Sequence, residues 1–126
     1  MAQLNAVGIV VSDMARSISF YRLLGLDVPE TPHEGHVDTF LPNGVRFMLD
    51  TEEVVRSFRP DWKREPGTQL GLAFECDSPA EVDELYARVS SAGFHGEKKP
   101  WDAFWGQRYA QLLDPDDVPV DLYASL

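Results

Sequence analysis

The sequence predicts an α+β fold of two β-α-β-β-β modules, on three observations. A buried strand-like run, a capped amphipathic helix and a terminating glycine occur twice, once from Leu4 and again from Leu70. Each unit is followed by short strand-like runs divided by turn residues. A stretch rich in proline, glycine and charge, Phe58 to Thr68, separates the halves. The expected organisation is a first module over residues 1–58, a linker over 59–68 and a second module over 69–126. An internal repeat of this kind implies two curved mixed sheets, four strands each, facing one another around a shared cavity.

Leu4 to Val11 is a β-branched and apolar run, Asn5 apart, and reads as a strand buried on both faces. Ser12-Asp13 offers cap oxygens, and Met14, Ile18 and Tyr21 follow at helical spacing until Gly25 stops the helix. Leu26 to Pro32 is too rich in proline for a central strand and is read as an edge strand. Val37 to Leu41 and Val45 to Leu49 are short strands joined by the Pro42-Asn43-Gly44 turn. Thr51 caps a short helix to Ser57. Trp62 is unusual in a linker and is expected to pack back onto the fold.

The second half starts with a buried strand, Leu70 to Cys76, and a capping box with proline at the first helical position, Ser78-Pro79-Ala80-Glu81. Val82, Leu85, Tyr86 and Val89 form the apolar face of its helix, which Gly93 ends. A short segment from Phe94 to Lys98, a strand to Leu113, a turn at Asp114-Pro115-Asp116-Asp117 and a strand Val118 to Tyr123 complete it. Gly8 to Asp13 answers Gly71 to Cys76, and Asn43-Gly44-Val45 answers Asp116-Asp117-Val118.

With 126 residues and 44% hydrophobic content, the chain is long enough for one compact domain with a real core. A net charge of −10 argues against nucleic acid or an anionic membrane surface as partner. It suits a cationic or neutral ligand. Cys76, the single cysteine, is expected as a buried thiol, which fits a reducing cytoplasm. No basic, then apolar, leader is visible, and no apolar run reaches the length of a membrane span.

Lys99 to Tyr109 concentrates Trp101, Phe104, Trp105 and Tyr109 around polar residues and Gly106. If Trp105, Gln107 and Tyr109 share one strand face, two flat rings stand on the same side of a sheet. That face suits a planar ligand, because aromatic pairing adds about 0.5–1.5 kcal/mol beyond area burial. Ordinary core packing is the competing reading.

The residues Val10-Val11-Ser12-Asp13-Met14, Ser17, Phe20-Tyr21 and Leu24-Gly25, with Asp114-Pro115-Asp116 and Val120-Asp121-Leu122, resemble the vicinal oxygen chelate superfamily. That superfamily includes glyoxalase I, extradiol dioxygenases and bleomycin-resistance proteins. The resemblance implies a divalent metal held from the first and last strands of each module. Those positions fall on Ala6, Met48, Gly71 and Asp121, of which only Asp121 suits a hard cation, so no metal and no cofactor are expected. Within the superfamily the chain looks most like mitomycin-binding resistance proteins. The likeness lies in Pro100-Trp101…Trp105-Gly106-Gln107-Arg108-Tyr109-Ala110 and in Asp50-Thr51…Val55-Arg56-Ser57…Trp62. It implies a homodimer with shared or swapped modules that sequesters a planar aromatic, quinone-like antibiotic without chemistry. A metal-dependent lyase, isomerase or dioxygenase, or a metabolite-binding protein of the same fold, remains the alternative.

The candidate ligand residues are therefore Trp101, Phe104, Trp105, Gln107 and Tyr109, with Phe40 and Phe47 as an opposite wall. Asp38 shares the parity of Phe40 and is a candidate polar anchor. His36 is either at the pocket mouth or a plain loop histidine. Asp50 either faces the cavity or caps the next helix. His33, His36 and His95 lack metal spacing, and Arg108 is expected to face away from Trp105 and pair with a carboxylate. Glu52-Glu53 and Asp114 to Asp117 read as solvated surface and turn.

Overall fold

The computed structural model describes residues 1–30, 35–67 and 70–126. Pro32, His33 and Thr68 lie outside the described residues. The chain divides into two compact units, Met1–Arg64 and Glu65–Leu126. Among the described residues the architecture is α+β, with one three-stranded and one four-stranded mixed sheet and three helices.

The first unit contains β1 (Ala6–Val11), α1 (Met14–Leu23), β2 (His36–Phe40), β3 (Arg46–Thr51) and α2 (Glu52–Phe58), with sheet order β1-β3-β2. β1 runs parallel to β3, and β2 antiparallel to it. Asp13 caps α1 through a 3.1 Å bond to the Arg16 amide, and Thr51 caps α2 at the Val54 amide. Ile9, Val11, Val37, Phe47 and Leu49 are buried with Phe20 and Tyr21 of α1. Residues of opposite parity, Gly8 among them, are not buried, so β1 is covered on one face rather than two.

The expected edge strand at Leu26 to Pro32 does not form among the described residues. Pro29 removes a donor, and this segment is instead tied to α1. Leu26 donates to the Tyr21 carbonyl at 3.1 Å, and Arg22 donates to the Val28 carbonyl at 2.6 Å. The first unit thus has three described strands where four were expected. The Asn43-Gly44 turn forms as expected, with Gly44 at φ +87° and the Asn43 side chain accepting from the Val45 amide.

The second unit contains β4 (Leu72–Glu75), α3 (Pro79–Ser91), β5 (His95–Ala103), β6 (Gln107–Leu113) and β7 (Pro119–Ser125), in the order β4-β7-β6-β5. Ser78 caps α3 through the Glu81 amide. Val82 and Val89 of α3 pack with Ala110, Leu112, Val120 and Leu122 in the core. The segment expected as a short element from Phe94 to Lys98 continues through Trp101 as one bulged strand. Its register shifts on both sides of Lys98, and Pro100, which cannot donate, falls within the irregularity.

Register also corrects the repeat. Gly8 stands opposite Met48, and Ala73 stands opposite Asp121, so Ala73 rather than Gly71 is the counterpart of Gly8. Asp117, at φ +65°, does occupy the place of Gly44 in its turn. Asp114 is not solvated surface: it is 2% exposed, and its carboxylate accepts from the Asp116 and Val118 amides. No helix among the described residues is long and apolar enough to cross a membrane.

Candidate functional site

The open face of the second sheet, opposite α3, carries an aromatic row. Trp101 pairs with Tyr109 across β5 and β6, and Tyr109 pairs with Tyr123 across β6 and β7. Strand alternation puts all three on one side. The Trp101 and Tyr109 rings are 5.4 Å apart and edge-on, whereas Tyr109 and Tyr123 are stacked at 6.4 Å. Lys98 joins them, its Nζ 3.8 Å from the Trp101 ring centre.

Trp105 is not on the strand with Gln107 and Tyr109. It lies in the turn that joins β5 to β6, where Gly106 takes φ +91°. The turn nevertheless folds its indole onto the row, 5.3 Å from Tyr109 and 6.2 Å from Trp101. Trp105 Nε1 donates to Gln107 Oε1 at 2.8 Å, which fixes the ring. Phe104 packs edge-on against Trp105 yet is 97% exposed, and Trp105 itself is 49% exposed. The hairpin therefore brings together Trp101, Phe104, Trp105, Gln107 and Tyr109. Tyr123 and Lys98 belong with them and were missed by sequence reasoning. The parity of Tyr123 with Asp121 was the available signal for Tyr123; no pattern marked Lys98, because a bulge sets its direction.

Tyr109 also donates its hydroxyl to Asp121 Oδ2 at 2.5 Å. Burial, then this hydrogen bond, pushes the phenol up to about 12, so it remains a neutral donor. Arg108, on the opposite face, pairs with Asp83 at 2.9 Å and Asp102 at 3.1 Å, as its parity requires.

The remaining candidates lie in the first unit and separate into two faces. Phe47 does not line an open face. It is 4% exposed and meets Tyr21 at 4.9 Å on the helix side, because its strand parity matches Leu49. Phe40, His36 and Asp38 are on the other side, opposite Arg46, Asp50 and Met48 respectively. His36 lies between two carboxylates, with Nδ1 2.5 Å from Asp50 and Nε2 3.3 Å from Asp38. Arg46 adds a 3.7 Å contact to Asp38. The bond to Asp50 raises the His36 pKa most, burial opposes it, and Asp38 raises it further. Asp50 thus serves the open face, while Thr51 alone provides the α2 cap.

A divalent metal at the positions implied by resemblance would find a poor donor set. Ala6 and Gly71 carry no side-chain donor, and Met48 offers a soft thioether. The Asp121 carboxylate is engaged by Tyr109. These residues do not fit the metal. Among the described residues, no group of three His, Cys, Asp or Glu side chains is placed to hold one. Cys76 is buried, and burial pushes its thiol up to about 11, so it is no nucleophile near neutral pH.

The sequence profile of the glyoxalase/bleomycin resistance protein/dioxygenase superfamily matches residues 3–122. No curated protein sequence matches the chain. Among solved structures, a glyoxalase/bleomycin resistance protein/dioxygenase from Nocardioides has a TM-score of 0.77 at 25% identity, over 100% of this chain and 85% of that one. A family enzyme from Burkholderia phytofirmans PsJN reaches 0.86 at 21% identity, over 99% and 100%. A lactoylglutathione lyase from Agrobacterium tumefaciens gives 0.69 at 20% identity, over 98% and 94%. The last two likenesses concern the fold alone. A profile match over nearly the whole length, on a fold with these relatives, places the chain in the glyoxalase/bleomycin resistance protein/dioxygenase superfamily.

Proposed function

We propose that this protein binds and sequesters a planar aromatic, quinone-like antibiotic without transforming it, as a cytoplasmic homodimer. The observation that carries this reading is the hairpin tip, where Phe104 and Trp105 are exposed beside Trp101 and Tyr109. Exposed aromatic clusters on a fixed scaffold mark binding surfaces. Here the scaffold is a strand pair, and the Trp105–Gln107 hydrogen bond holds the indole in place, so few groups need ordering when a flat ligand arrives. The misfit between Ala6, Met48 and Gly71 and a metal supports a binder over a metal-dependent enzyme. Protection then follows from mass action, with protein in excess of drug. The acidic surface favours a cationic drug and makes association salt-sensitive.

The test is tryptophan-fluorescence titration of chelator-treated protein with a mitomycin-type quinone, bleomycin, an anthraquinone and a glutathione thioester. Saturable quenching by one aromatic drug, with the drug recovered unchanged and the signal lost in Trp105→Ala, is the expected result. Failure of every drug to bind, or turnover of the thioester on adding a divalent metal, overturns the reading in favour of the enzyme.

A further inference from the structure

We propose that Lys98 is a specificity-determining residue of the aromatic row in the second unit, and that it makes this row select planar ligands carrying an anionic group, a carboxylate or an ionised quinone hydroxyl. The inference rests on the sequestration reading above and narrows it to a ligand class.

Two irregularities in β5 aim Lys98. Gly96 stands opposite the buried Leu112, and a Cβ on Gly96 would meet Tyr86 of α3, so this position points to the helix side. Plain alternation would send Lys98 to that side too, away from Trp101. Instead the register shifts between Gly96 and Lys98, and Lys98 stands opposite Gln111. Gln111 has the parity of Tyr109, and its partner on β7 is Asp121, so Lys98 is on the open face. A second shift, between Lys98 and Trp101, keeps Trp101 on the same face three residues later, where alternation would reverse it. Bulges re-aim side chains in this way, each by disrupting the ladder. The outcome of both is one ammonium set on one indole, with Nζ 3.8 Å from the ring centre.

This cation is left to a ring rather than to an acid. Among the described residues Lys98 has no carboxylate partner, whereas Arg22, Arg46, Arg56, Arg64 and Arg108 each contact one. Acidic residues number 21 against 11 basic ones, so partners are plentiful. Asp121, the carboxylate of the same ladder row, stands one strand further on and is engaged by Tyr109. The indole face attracts the charge but takes only part of the three N–H donors.

Trp101 is in turn 6.2 Å from Trp105. A two- or three-ring ligand stacked at Trp105 therefore reaches the ammonium with a substituent at its far edge. An anionic substituent gains a charge-assisted hydrogen bond there, stronger than that of its neutral counterpart. The net charge of −10 favours cations at long range, and Lys98 sets the opposite preference at contact.

The probes are anthraquinone-2-carboxylate and its neutral isostere anthraquinone-2-carboxamide, each titrated into the whole chain by tryptophan fluorescence. Both are measured in parent and variants, so the long-range field largely cancels from the ratio of their affinities. Lys98→Met, which keeps an apolar stem and removes the charge, should lower the carboxylate-to-carboxamide ratio at least about threefold, as one exposed charge contact can. Lys98→Arg keeps the charge and should retain the ratio. A smaller fall in Lys98→Met overturns the proposal and leaves sequestration standing. So does an equal fall in Lys98→Arg, which makes the effect steric. Quenching by neither probe overturns the inference together with the reading it rests on, because the row then takes no flat ring.

Discussion

On its open side, β3 presents Arg46, Met48 and Asp50, and neighbouring β2 adds His36, Asp38 and Phe40. The corresponding strand of the second unit, β7, presents Asp121 and Tyr123, and its neighbours add Tyr109 and Trp101. Both strands run parallel to the first strand of their unit, and both follow a helix with an oxygen cap. Backbone plan is shared while surface chemistry diverges from charge network to aromatic row. The reason is strand alternation: residues toward the helix are constrained by packing, and those on the other side are free to specialise. A second contrast concerns aromatics. Phe20, Tyr21 and Phe47 of the first unit are core, whereas Phe40 and Phe58 of the same unit and Phe104 and Trp105 of the second are exposed.

The sharpest way to break that contrast is to truncate one aromatic of each kind. Tyr21 is fully buried, 5.0 Å from Phe20 and 4.9 Å from Phe47. Tyr21→Ala should cost about 3–5 kcal/mol of stability in urea denaturation, from lost burial and the cavity left behind. Trp105→Ala should cost under about 1 kcal/mol, as expected for an exposed turn residue, while weakening binding of a planar drug about tenfold or more. Equal stability losses in the two variants would mean that the hairpin cluster is structural.

The Tyr109–Asp121 bond gives a smaller effect within the second unit. Tyr109→Phe leaves the Asp121 carboxylate without this donor and should cost about 1–3 kcal/mol. Asp121→Asn keeps an acceptor and should cost less. A double-mutant cycle by urea denaturation measures the coupling, and a coupling near zero would mean that water replaces the hydroxyl at no cost.

Much of this pattern was legible in the sequence, and its failures have physical causes. The caps at Asp13, Thr51 and Ser78 and the Asn43-Gly44 turn depend on local chemistry, which a sequence displays directly. Parity separated Arg108 from Tyr109 correctly. The same parity, applied to Phe47, was attached to the wrong face, because alternation says which residues share a side but not which side meets the helix. The run that starts at Gln107 after Gly106 does form a strand, but Trp105 lies in the turn before it and so could share no strand face with Gln107 and Tyr109. The bulge around Lys98 and Pro100 hid the pairing of Trp101 with Tyr109. Asp114 looked like one more solvated acid because its amide partners are set by the turn's folded path.

Acidity supplies the smallest effect, and it distinguishes the two open faces by the pH at which each responds. His36 has a raised pKa in the folded protein, so the charged imidazolium stabilises the first unit. That contribution is complete below the ordinary value of 6.5 and is lost as pH rises through the higher folded value. Tyr109 is shifted in the same direction, from 10.0 up to about 12, so its contribution persists until pH passes 10 and disappears over the next two units. Urea denaturation at about pH 6 and about pH 8 should therefore show lower stability at the higher pH. His36→Asn should reduce that difference, and Tyr109→Phe should leave it unchanged. The His36 side chain is 37% exposed, so solvent screening keeps the effect small. An unchanged pH difference in His36→Asn would assign it to another group and remove the charge network from the account of the first unit's stability.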